Sequence, residues 1–212
     1  MATYESLIKI TGAVGDLVFY NLNGKNVVRK KSGFNKTAFK KSASYEKVRQ
    51  NSSEFGHCSK IGKVIRNSID SYIKEAGDLL LYQKFAKLMT SIKDLDLISE
   101  RGKRTVENGL KTDEGKNLLR GFVFGEKKNL TGCIRSQGQA LYLSEHCLAE
   151  EATIITIKID FESYQAEHIE ASISFQKEKN QGLKEYVSEN DTLLYFIALK
   201  DEKGEITHMG FL

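Results

Sequence analysis

The dipeptide Asn23-Gly24 lies between two runs rich in β-branched and aromatic residues, Leu17 to Leu22 and Lys25 to Arg29. A two-residue hairpin loop of type I′ needs positive φ at both central positions, which Asn followed by Gly adopts at little cost. The spacing therefore predicts a β-hairpin closed at residues 23–24. A shorter strand is expected from Tyr4 to Ile10, ending at Thr11-Gly12. The chain contains no proline, where average usage would supply about ten. Its turns must therefore be built from Gly, Asn, Asp and Ser, and Pro-rich linkers are ruled out.

Lys30 to Ser42 reads as a basic loop without a clear period. From about Ala43 the apolar period becomes helical, through Tyr45, Val48, Phe55, Ile61, Ile65, Ile69 and Tyr72. Gly56-His57 predicts a break in that helix and Gly77 its end. Asp78 is a fitting N-cap for a second helix that runs to about Leu97. Ser99 to Gly109 reads as a charged link, and Thr112-Asp113-Glu114 caps a short third helix to Arg120. Strands are expected at Leu130–Arg135, Ala140–Leu143, Ala152–Phe161, His168–Phe175, Thr192–Leu199 and Ile206–Phe211, with a hairpin loop at 201–205. The expected organisation is α+β: a hairpin and basic arm (1–42), a helical region (43–121) and an antiparallel β-sandwich-like domain (122–212).

With 40% hydrophobic and 28% charged residues, the 212-residue chain has a globular composition. No apolar run reaches ~18 residues, so no membrane-spanning helix is expected. The opening Met-Ala-Thr-Tyr-Glu-Ser has no basic stretch followed by an apolar one, so no secretory signal peptide is expected. Cys58, Cys133 and Cys147 cannot all pair within one chain, and read as free thiols in a reducing compartment. These features predict a cytoplasmic protein, with export by a dedicated apparatus left open. The net charge of +4 hides a gradient. Residues 1–75 carry 14 basic against 6 acidic side chains, and residues 144–212 carry 6 against 14. A front of +8 and a back of −8 point to an interaction role.

No constellation specifies a reaction. His57-Cys58 and His146-Cys147 resemble pairs of metal ligands. Adjacent side chains, however, point ~100° apart on a helix and to opposite faces of a strand, so one dipeptide rarely serves one ion. Asp94-Leu95-Asp96 fits a solvated helix end, its carboxylates ~200° apart. Gly115-Lys116 lacks the upstream glycine and following Ser/Thr of a phosphate-binding loop. Neither a Gly-x-Ser-x-Gly elbow nor a Gly-x-Gly-x-x-Gly turn is present. His168 and His208 fall in predicted strands with no nucleophile nearby in sequence. The expectation is a non-enzyme with no cofactor, no metal and no catalytic residue.

The basic arm is the candidate binding element. Lys25, Arg29, Lys30, Lys31, Lys36, Lys40 and Lys41 form an acid-free run with Phe34 and Phe39 interleaved. Three readings stand side by side. The arm could dock on the acidic back of another copy, building a ring or filament. Alternatively, it could bind the phosphate backbone of a nucleic acid, with its aromatics stacked on bases. The third reading is a hairpin edge protected by Lys against aggregation. A hairpin is too small to be stable alone and must pack on something. A self-associating structural protein is therefore the favoured expectation: a homo-oligomer, a filament, or a subunit of a phage-like or secretion-like apparatus. The nucleic-acid reading is the alternative.

Residues Gly12 to Tyr20, Asn23-Gly24-Lys25 and Val28 to Lys31, followed by Tyr45, Arg49, Asn51, Glu54-Phe55-Gly56 and Gly62-Lys63, resemble the opening of small uncharacterised proteins found in Bacteroidetes. The resemblance covers about a quarter of the chain. It implies a recurring N-terminal module and brings no activity or catalytic residue with it.

Overall fold

The computed structural model describes residues 2–6, 10–31, 33, 36–137, 140–144, 146–174 and 193–212. The chain forms two compact units, Met1–Glu46 and Lys47–Leu212, and its fold class is α+β.

In the first unit, β1 (Ala2–Thr3), β2 (Gly12–Val14), β3 (Leu17–Leu22) and β4 (Lys25–Lys30) form an antiparallel sheet in the order β1-β4-β3-β2. The central hairpin has the predicted turn: Asn23 and Gly24 take φ of 51° and 81°. The Asn21 side-chain oxygen accepts the Gly24 N–H at 3.0 Å. Pairing runs in register from Leu22↔Lys25 to Leu17↔Lys30. The strand expected at Tyr4–Ile10 begins earlier, at Ala2–Thr3 on β4, and the Tyr4 N–H continues the ladder to the Asn26 carbonyl at 3.1 Å. Residues 7–9 lie outside the described set. Part of the expected basic loop is helical instead: α1 spans Lys36–Lys41, followed by a 3₁₀ turn at Ala43–Tyr45. Ser42 opens that turn by accepting the Ser44 N–H. Among the described residues of this unit only Val27 is buried, at 3% exposure.

The second unit begins with α2 (Glu46–Ser68), α3 (Asp70–Ala76) and α4 (Leu81–Asp94). Helix α2 runs unbroken through Gly56, against the sequence expectation. The burial of Glu54 and Cys58 on either side holds the turn that a lone glycine weakens by only ~1 kcal/mol. The break falls instead at Ile69, after the Ser68 hydroxyl has bonded back to the Val64 carbonyl. Gly77 closes α3 in the left-handed region, as expected. Asp78 accepts the Leu80 N–H one turn ahead of α4. The stretch read as a link contains a short helix, α5 (Val106–Leu110). Helix α6 (Asp113–Arg120) is capped by the Thr112 hydroxyl on the Gly115 N–H at 3.0 Å, as its sequence predicted.

Strands β5 (Ile134–Gln137) and β6 (Ala140–Leu143) pair as a hairpin, with β5 a few residues later than expected. Strands β7 (Glu151–Asp160), β8 (Gln165–Ser174), β9 (Leu193–Lys200) and β10 (Ile206–Phe211) form an antiparallel sheet in the order β10-β9-β7-β8. The alternation of β7 divides the core. Ile155, Ile157 and Ile159 face the helices, whereas Ala152 and Ile154 face a second cluster with Leu130, Cys147, Ile197 and Leu199. Helices and sheet thus share one main core. Its centre is Phe124, fully buried, with ring contacts to Phe122 at 4.9 Å and Phe196 at 5.4 Å. No helix among the described residues is long and apolar enough to cross a membrane.

Candidate functional site

Strand alternation sorts the basic arm. Lys25 and Arg29 share a face of β4 with buried Val27, and Lys30 points to the opposite face with Val28. Four strand residues place Lys25 and Arg29 ~13 Å apart. Lys31 follows the strand end, its N–H bonded to the Asp16 carbonyl at 2.6 Å. Lys36 and Lys40 lie one turn apart on the same side of α1, with Lys41 beside them. Six of the seven are exposed and Arg29 is half-buried. Phe39 meets Tyr45 edge-on at 5.8 Å, and Phe34 lies outside the described residues. The arm is thus a charge distributed over two strand faces and a helical turn, with no single planar patch. Exposed Val14, Leu17 and Leu22 border it.

An acidic groove of about 510 Å³ lies at the β7–β8 turn of the second unit. Glu107, Asp160, Glu162 and Glu167 line it against one cation, Lys158. Asp160 accepts the N–H groups of Glu162 and Ser163, which shapes the turn, and the Ser163 bonds hold its carboxyl below the usual range. Strand β8 is an edge strand. Its Glu167, Ile169 and Glu170 are exposed, although Glu170 accepts the Tyr72 hydroxyl at 3.1 Å.

The most perturbed charges are interior ones. Glu54, on α2, accepts Arg104 through two parallel bonds at 2.9 and 2.8 Å, Lys93 at 2.9 Å and the Gly102 N–H at 2.6 Å. Chiefly the Arg104 bonds, against burial, hold its carboxyl at about 2. Burial works against the Lys93 charge, and bonds to Asp94 and Glu54 outweigh it. Asp96 is buried, contrary to the expected solvated helix end. It accepts the N–H groups of Ile98, Ser99 and Thr105 and the Asn108 amide. Burial opposes its charge, and those bonds still keep it well below the ordinary range. Among the described residues no buried side-chain N or O lacks a partner. The bonds of this cluster hold the 96–108 loop against α2.

His57 is likewise occupied. The Val106 N–H donates to Nε2 at 3.0 Å, so the proton sits on Nδ1, 3.2 Å from the Tyr164 hydroxyl. Burial lowers its pKa. Cys58, next in sequence, is pushed up to about 11 by burial, and its sulfur faces the Met89 carbonyl at 3.6 Å.

A grouping that the dipeptide spacing did not reveal joins Cys133, Cys147 and His208, whose ligand atoms lie within 4.8 Å of one another. Cys147 is buried and the other two half-buried. Burial and the neighbouring Cys147 thiol push Cys133 up to about 11. Burial, then Lys128, lowers His208. No family model, curated protein or solved structure matches the chain. The reading of function therefore rests on geometry alone.

Proposed function

We propose that the protein works by association with copies of itself, the basic first unit of one copy docking on the acidic β7–β8 groove of the next. One observation carries this reading: a basic sheet with a single buried side chain occurs in the same chain as a groove lined by four carboxylates. A sheet with so little core gains most from covering its exposed Val14, Leu17 and Leu22 against another surface. Opposite charge selects the partner and sets the register of docking. A contact between unlike surfaces repeats head to tail, giving a closed ring or an open filament. The chemistry required is docking alone, and no catalytic step enters.

Light scattering of nuclease-treated protein tests the proposal. Mass above the monomer at low salt, falling as salt is raised, is expected. Reversing Lys36, Lys40 and Lys41 to Glu should abolish assembly, as should reversing Glu162 and Glu167 to Lys. Mixing the two reversed proteins should restore assembly, with the two alternating along it. A monomer at every concentration and salt overturns the proposal. Assembly that vanishes with nuclease replaces it with phosphate-backbone binding.

A further inference from the structure

We propose that Cys133, Cys147 and His208 form a zinc site that pins the turns at Cys133 and Cys147 to β10. The three side chains come from three places in the chain: just before β5, just after β6, and within β10. The two cysteines hang from one bonded loop. Cys133 donates its N–H to the Leu130 carbonyl at 3.0 Å and accepts the Ser144 N–H at 2.7 Å, while Cys147 donates to the Ser144 carbonyl at 2.9 Å. Their backbones are therefore fixed before any ion arrives. Zn–S bonds of ~2.3 Å and a Zn–N bond of ~2.0 Å put neighbouring donors roughly 3.5–3.8 Å apart in a tetrahedron. Closing from 4.8 Å needs a movement of about 1 Å, within reach of side-chain rotation.

The tautomer of His208 also suits a ligand. The Thr207 hydroxyl gives its one proton to the Leu199 carbonyl at 3.2 Å, so it can only accept from His208 Nδ1 at 3.0 Å. The proton then sits on Nδ1 and the Nε2 lone pair is open to a metal, with Thr207 orienting the ring. Two thiolates and an imidazole favour zinc over harder cations. Binding replaces two S–H bonds with two S–Zn bonds and releases two protons, and a water completes the fourth corner. The site also meets a structural need. Among the described residues this face of the sheet has six buried ones, and Cys147 is one of them, so a metal on Cys147 ties that cluster to β10.

The full chain, reduced and stripped with a chelator, should be titrated with Co²⁺ as a spectroscopic probe and then with Zn²⁺. One metal per chain is expected, with a thiolate-to-cobalt charge-transfer band, intense tetrahedral d–d bands and displacement of cobalt by zinc. A pH indicator should record two protons released per zinc. Zinc should raise the melting temperature by roughly 5 °C or more. Cys133→Ser and Cys147→Ser should each lose charge-transfer intensity and weaken binding at least ~100-fold, and His208→Gln should weaken it while keeping thiolate absorption. Cys58→Ser should bind like the parent. Should the site variants fail to fold, zinc must still shield Cys133 of the parent protein from alkylation, read by mass spectrometry. Folded, reduced protein that takes up no stoichiometric metal overturns the proposal. So does binding that survives Cys147→Ser, or one that Cys58→Ser abolishes.

Discussion

The chain builds a four-stranded antiparallel sheet twice, by opposite means. In the first unit the sheet buries one side chain, Val27, and leaves Leu17, Leu22 and Val14 in solvent. In the second, β9 is buried along its length from Leu194 to Leu199, with apolar layers on both faces. The first sheet is specified by its turn and by cross-strand pairs worth ~0.2–1 kcal/mol each. The second is specified by burial, at several times that per side chain. A sheet held by turns remains available for a partner, and one held by burial serves as the platform.

The largest expected effect tests the platform. Glu54→Ala removes the acceptor of four hydrogen bonds and leaves the buried Lys93 with Asp94 as its one remaining carboxylate partner. The cost should be about 3–5 kcal/mol, a fall of roughly 10 °C in the melting of the second unit by calorimetry. Amide exchange in the β3–β4 hairpin should not change. Parallel loss of both would show that the units are one cooperative body and dissolve the contrast.

Acid should act on the same group. The Glu54 carboxyl is held at about 2 against an ordinary 4.5, so the folded state binds its proton later than the unfolded one. Its contribution is complete above pH 4.5 and is lost as pH falls toward 2, amounting to about 3 kcal/mol. Asp96 adds in the same direction. His57 is shifted down, so folding also loses stability as pH drops below ~6.5, where the unfolded ring takes up a proton that the folded one resists. Chemical denaturation at a series of pH values should show this early, shallow loss before the steep one. In Glu54→Gln the part of the steep loss due to Glu54 should disappear.

A smaller effect tests the first sheet. Gly24→Ala puts a Cβ on a residue at φ 81°, where space is open and the backbone conformation alone resists. About 1 kcal/mol is expected, enough to raise hairpin amide exchange several-fold because so little else holds the sheet. Melting of the second unit should stay the same. An unchanged hairpin would mean that contacts other than the turn specify it.

What could be read from sequence follows the same division. Asn23-Gly24, the Thr112 cap and the alternation of β7 are local signals, and each appears where it was expected. Helix α5 was missed although Thr105 caps it locally on the Asn108 N–H, because its five residues are too few to show a period and part of its support, His57 on the Val106 N–H, comes from α2. No window of sequence around Val106 contains His57. The seven basic residues were visible as a run, but the run does not say that Arg29 and Lys30 point to opposite faces. That follows from strand alternation once β4 is seen to extend through Lys30. Cys133, Cys147 and His208 left no spacing signal at all, because the histidine lies far along the chain and meets the loop only through the pairing of β10 with β9.

The smallest expected effect isolates burial as the variable. Lys103 and Glu100 form an ion pair at 3.1 Å, almost the same length as the 2.9 Å pair of Lys93 and Glu54. Their side chains are 77% and 82% exposed, against 6% and 3% for the interior pair. Water screens the outer pair and solvates each partner if the other leaves, so Lys103→Ala should cost less than about 0.5 kcal/mol. Removing Lys93 takes one of two cations from a carboxylate that is 3% exposed and leaves it to Arg104 and the Gly102 N–H. Comparing Lys103→Ala with Lys93→Ala by denaturant midpoint therefore sets an exposed Lys–Glu pair against one of similar length inside a buried network. Equal losses would mean that the Glu54 cluster is hydrated in solution, and the steep acid transition would have to come from other groups.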